Sequence, residues 1–159
     1  IHNQIIDPVA LVQRAVELNN SYCQQCDCQL QLEVPIQEET KSIHGDEQRL
    51  LQVLGNLISN AAKFTRRGDT IIISVTSDQD TICIKVTDHG KGLTEKQQGQ
   101  LFEKFRQASS NGNEKLPGTG LGLSICKHII ELHNGTIACK SVPNKSTSFY
   151  FTLPAINDE

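Results

Sequence analysis

Two pairs of β-forming segments in this sequence are joined by turns too short to contain a helix. Thr70–Thr76 and Thr81–Thr87 flank only Ser77-Asp78-Gln79-Asp80, and Thr136–Ser141 and Thr147–Leu153 follow the same plan before Pro154. Parallel neighbours need crossovers of about a dozen residues or more, so these segments predict antiparallel pairing. A further strand alternates Leu30, Leu32 and Val34 with Gln29, Gln31 and Glu33, which gives it one buried face, and Pro35 closes it. Helices lie between the strands. Asp7-Pro8 is an N-cap followed by an N1 proline, opening an amphipathic helix to about Gln25. Asp46 is the natural N-cap of a long helix through Phe64. Thr94 caps a short helix reaching about Phe105, and Leu121–His133 forms another, stopped by Asn134-Gly135. The order α β α β β α α β β predicts an α+β fold. Its architecture is a two-layer α/β sandwich, with a mixed, mostly antiparallel sheet carrying helices on one face.

A chain of 159 residues is long enough to bury a core without covalent staples. Fifteen Lys+Arg against eighteen Asp+Glu leave a net charge of −3, which argues against a dedicated binder of nucleic acid or another polyanion. No apolar run approaches the ~18 residues of a membrane span, and no signal-peptide pattern opens the chain. The expectation is one cytoplasmic domain over 1–159 with no direct membrane contact.

Cys23, Cys26 and Cys28 are close together, whereas Cys83, Cys126 and Cys139 lie far apart. A zinc site needs four ligands at paired spacings, and no second CxxC or HxxxH is present. Cys23 continues the helical stripe Val9, Val12, Val16, Cys126 sits one turn before Ile130, and Cys139 shares parity with Ile137. These are positions for a small hydrophobe. They predict core thiols in a reducing compartment rather than a metal or redox module.

Three features carry chemistry. On the helix through Phe64, Leu50, Leu54, Leu57, Ile58 and Ala61 form one face, while Gln52, Asn56, Asn60 and Lys63 form the opposite stripe. Asn is a poor helix-interior residue, so two of them four apart point to a use for amide oxygens, which are hard neutral ligands for Mg²⁺ beside phosphates. Asp88-His89-Gly90-Lys91-Gly92 follows a strand directly; its carboxylate can accept from an exocyclic amine, and its glycines let the backbone approach a planar ring. Alone, such a run is also ordinary turn chemistry. Gly118-Thr119-Gly120-Leu121-Gly122-Leu123 runs into a helix whose first N–H groups and dipole suit an anion. It has no GK[ST] and follows no strand, so it is neither a Walker A loop nor a dinucleotide fingerprint.

In this order the three features resemble the catalytic and ATP-binding domain of sensor histidine kinases, part of a wider ATPase group with heat-shock chaperones, type II topoisomerases and mismatch-repair proteins. Gly45–Leu50 with Gln52–Thr65 looks like the N box. Asp88–Leu93 is similar to the first glycine box, Phe102-Glu103-Lys104-Phe105 to the phenylalanine box, and Gly118–Leu123 to the second glycine box. The resemblance covers almost the whole chain. It implies a Bergerat-type ATP-binding fold, with ATP and Mg²⁺ as cofactors.

By that resemblance Asp88 binds the adenine amine, Asn60 is the Mg²⁺ ligand with Asn56 beside it, and Lys63 contacts phosphate oxygens. Phe64 lies against the adenine, and Gly90, Gly92 and Leu93 line the base pocket. Gly118, Thr119, Gly120, Leu121 and Gly122 wrap the triphosphate with Leu123 packed beneath, and the aperiodic segment 107–117 is the ATP lid. The implied activity is donation of the γ-phosphate to a histidine on a separate helical dimerisation domain of the same parent kinase, with a response regulator receiver domain downstream. None of the five histidines is followed by an acidic residue, as the family's acceptor is, so this chain is not expected to phosphorylate itself. The departures are His89, expected to point outward, Glu114 and Pro117 in the lid, and Ser146 in the last turn. The lid departures keep open an alternative, a nucleotide-gated interaction module without phosphotransfer.

Overall fold

The alternating segments pair as their short turns require. In the computed structural model, which describes residues 1–34, 40–100 and 120–156, the elements are β1 (Gln4–Ile6), α1 (Pro8–Gln25), β2 (Gln29–Glu33), β3 (Ile43–Gly45), α2 (Glu47–Phe64), β4 (Thr70–Ser77), β5 (Thr81–Asp88), α3 (Glu95–Gln100), α4 (Gly120–Leu132), β6 (Thr136–Val142) and β7 (Ser146–Pro154). A five-stranded sheet runs β2-β4-β5-β7-β6, parallel only between β2 and β4. The predicted mixed, mostly antiparallel sheet is therefore present. Pro35, the phenylalanine box, the lid segment 107–117 and Gly118-Thr119 lie outside the described residues.

One face of the sheet is the core. Ile71, Ile73 and Val75 of β4, Ile82, Ile84 and Val86 of β5, and Phe149, Phe151 and Leu153 of β7 are all buried. Leu11, Val12 and Ala15 of α1, Leu50, Leu54, Leu57 and Ile58 of α2, and Leu123, Cys126 and Ile130 of α4 pack with them in one cluster. Truncating one such side chain to alanine costs about 2–5 kcal/mol, so α2, in contact with α1, α4 and the sheet, is held firmly.

Local chemistry sets the ends. Asp7 caps α1 by accepting the Val9 N–H at 3.0 Å, and Asp46 caps α2 by accepting that of Arg49 at 3.3 Å. Thr94 and Gln97 form a reciprocal capping box at α3. At the end of α4, Asn134 adopts a φ of 61° and the Gly135 N–H reaches the Ile130 carbonyl, a left-handed stop.

Four expectations change. β1 and β3, which pair antiparallel as a separate two-stranded sheet, are absent from the predicted order, because three-residue strands are too short to show alternation. Helix α4 begins at Gly120, inside the glycine run. Val34 lies beyond β2 and is exposed, because it no longer pairs with β4. His89 is half-buried rather than pointing outward, its Nδ1 lying 3.1 Å from the Thr70 carbonyl oxygen. Cys23 and Cys126 are buried, as their positions in the apolar pattern predict, and Cys28 is buried too, whereas Cys139 of β6 is only half-buried against the core.

Candidate functional site

Helix α2 delivers two carboxamides one turn apart, and its packing separates their fates. Asn60 is buried at 9% exposure, although the polar stripe predicts it opposite the buried face. Neighbours on more than one side of α2 widen its covered arc beyond the apolar residues. The Asn60 carboxamide has no hydrogen-bond partner among the described residues, and it lines a cavity of about 100 Å³. Asn56 is half-buried and donates through Nδ2 to the Cys126 Sγ of α4 at 3.5 Å. Lys63 is exposed, and Phe64, the last residue of α2, lies against the cavity.

Strand β5 supplies the carboxylate. Asp88 ends the strand, is 4% exposed, and accepts the Gly90 N–H on Oδ1 at 2.9 Å. Burial pushes its carboxyl above the ordinary carboxylate range, against the opposing pull of the Gly90 N–H and of His89. Asp88, Gly92 and Leu93 line the same cavity as Asn60 and Phe64. Gly90 does not line it. A Cβ there would overlap the Phe64 carbonyl oxygen, so this glycine lets the loop close onto the end of α2. Gly92 has a φ of +77°, and a Cβ on it would come within 2.6 Å of the Val142 carbonyl oxygen.

The remaining predicted residues sit at the start of α4. Gly120 and Leu121 are its first two residues, Gly122 is half-buried, and Leu123 is wholly buried in the core. Gly118 and Thr119 lie outside the described residues.

Sequence reasoning missed four cavity residues, Lys91, Gln97, Thr147 and Phe149. Thr147 is the instructive one. It sits on the buried parity of β7, two residues before Phe149, and is only 4% exposed. A hydroxyl at a position otherwise occupied by core residues is the signal that could have found it. Among the described residues, no three His, Cys, Asp or Glu side chains are grouped to hold a metal ion, and no helix is long and apolar enough to cross a membrane.

Residues 45–157 match the family described as histidine kinase-, DNA gyrase B-, and HSP90-like ATPase. The chain belongs to that family. Its relatives include the circadian input-output histidine kinase CikA of Synechococcus elongatus, 33% identical over 94% of this chain and 20% of CikA. The adaptive-response sensory kinase SasA of Crocosphaera subtropica is 35% identical over 97% of this chain and 40% of SasA. The catalytic domain of histidine kinase ThkA superimposes with a TM-score of 0.82 at 25% identity, covering 98% of this chain and 97% of that domain. The resemblance to sensor histidine kinase catalytic domains is thus borne out. The chain spans well under half the length of the two curated relatives. Its match to this ATPase family takes in α2, both glycine boxes and the closing strands, while α1 precedes the matched residues and shares their core.

Proposed function

We propose that the whole chain, 1–159, is an ATP-binding domain that takes Mg·ATP and presents its γ-phosphate to a histidine on a separate helical domain of a parent sensor kinase. What carries the reading is one cavity holding both Asp88 and Asn60, each buried, with the Asn60 carboxamide unpartnered among the described residues. In this assignment Asp88 accepts from the base amine, Phe64 and Leu93 flank the ring, and Gly92 keeps the backbone clear of it. The amide pair on α2 lies toward the phosphates, with Lys63 and the first N–H groups of α4 as sources of positive charge.

The Asn60 carboxamide opens onto the cavity with no partner among the described residues, which fits a hard cation, so Asn60 would hold Mg²⁺, with Asn56 one turn away. When bound, the metal supplies charge neutralisation on the phosphate oxygens. The protein's own residues bind and orient. Phosphoryl transfer asks for little covalent chemistry, so positioning the terminal phosphate in line with its acceptor is the main task. The receiver domain of a response regulator would then consume the phosphohistidine.

The test is transfer in trans. The chain is incubated with Mg²⁺, γ-labelled ATP and a helical hairpin bearing an acceptor histidine. Acid-labile label on the hairpin, with none retained by the chain, is the expected result. ATP binding without label on the hairpin would overturn phosphotransfer in favour of a nucleotide-gated interaction module, and stable label on the chain itself would contradict the assignment of the acceptor to another domain.

A further inference from the structure

The ends of three strands place three polar side chains in one row. Asp88 of β5 pairs with Thr147 of β7, and Thr147 pairs in turn with Ser141 of β6. Directly opposed residues on antiparallel strands point to the same face about 5 Å apart. The row therefore runs carboxylate, hydroxyl, hydroxyl, with the first two on the cavity wall and Ser141 behind them.

Ser141 Oγ has three partners. It accepts the Leu93 N–H at 2.7 Å, donates to the Ser146 carbonyl at 3.0 Å, and lies 2.8 Å from Thr147 Oγ1. A hydroxyl has one proton and two lone pairs. With its proton on the Ser146 carbonyl, Ser141 can meet Thr147 only as an acceptor, so the Thr147 proton points away from the cavity. The reverse arrangement would turn a Ser141 lone pair toward the Ser146 carbonyl oxygen at 3.0 Å, oxygen against oxygen.

We infer that Ser141 is a positioning residue for base selectivity: by taking the Thr147 proton it leaves Thr147 and Asp88 as two hydrogen-bond acceptors side by side on the sheet wall. An exocyclic amine offers two N–H groups to that wall. A 6-oxo base offers a lone pair to Thr147 and is rejected, because a buried polar group left unpaired is costly. The inference rests on the reading of this cavity as the base site, and adds that selection depends on a residue that does not line it.

The experiment titrates ATP and inosine triphosphate, in Mg²⁺, against the 159-residue chain and its Ser141→Ala and Ser141→Thr variants. Wild type should prefer ATP. Ser141→Ala frees the Thr147 proton to serve the cavity, so the ATP-to-inosine preference should fall about tenfold. Ser141→Thr retains the hydroxyl and should restore the preference, which a general loss of stability would not do. Should Ser141→Ala not fold, Thr147→Val replaces the hydroxyl with a methyl of similar shape and should lower the same preference. An unchanged preference in Ser141→Ala, or in Thr147→Val where that variant is used, overturns the inference while leaving the nucleotide site intact. Failure of wild type to bind ATP overturns both.

Discussion

Asp88, the last residue of β5, lies opposite Thr147 on β7, and both side chains open onto the cavity that Asn60 reaches from α2. The rung joins two segments far apart in sequence and fixes the carboxylate at the end of the central strand rather than on a free loop. Burial gives that carboxylate its character. It is desolvated, it accepts one backbone N–H, and its exposed share is small. A carboxylate held this way costs the fold some stability and is ready to accept from a ligand.

That cost has a sign that can be measured. Burial raises the Asp88 carboxyl above its unfolded value, so the native state keeps this proton to higher pH than the unfolded chain. The contribution of Asp88 to stability therefore falls as pH rises from the unfolded value, about 4, through the folded one. Asp88→Asn cannot ionise and keeps an oxygen for the Gly90 N–H. Urea denaturation should find this variant more stable than wild type at pH 7, with the difference shrinking toward pH 4. A variant less stable than wild type at pH 7 would contradict the raised value.

The glycines make opposite predictions. Gly90→Ala forces a methyl into the Phe64 carbonyl oxygen, a backbone atom that cannot swing aside, and should cost about 1–3 kcal/mol. Gly55 lies within α2, where a Cβ would meet nothing nearer than Asn19 Oδ1 at 3.7 Å. Gly55→Ala should stabilise by about 0.5–1 kcal/mol. Equal effects of the two substitutions on the denaturation midpoint would rule out this account of the loop closure.

The buried thiols should be inert in the native protein. Burial pushes Cys23 up to about 12 and Cys126 up to about 11. At pH 8 the reactive thiolate is then about one in a thousand or less. Iodoacetamide at pH 8, followed by peptide mass mapping, should leave both unlabelled until denaturant is added. Native labelling of either at the rate of a free thiol would show that the helix packing around it is open.

Much of this layout is legible in the chain. The two turn-linked strand pairs, the caps Asp7, Asp46 and Thr94, and the stop at Asn134-Gly135 are local features, and each appears where its chemistry puts it. Asp88 is legible because a carboxylate between a strand and two glycines is conspicuous. What depends on pairing register is not. Thr147 and Ser141 are unremarkable residues until β5, β7 and β6 align them with Asp88. The same holds for His133, which is buried at the end of α4 with Nδ1 2.7 Å from the Ile129 carbonyl oxygen and accepts the Asp46 N–H on Nε2 at 3.0 Å. It ties the end of α4 to the start of α2 across a distance that no local pattern records. The burial of Asn60 likewise depends on how much of α2 its neighbours cover.

The most direct measurement is a titration of wild type and Asp88→Asn with a fluorescent ATP analogue in Mg²⁺. Loss of a buried charge-assisted hydrogen bond should weaken binding by about 1.5–3 kcal/mol, roughly 10- to 150-fold, in a variant that remains folded. Equal affinity of the two proteins would remove Asp88 from the base site, and with it the reading of this cavity as the place where the nucleotide binds.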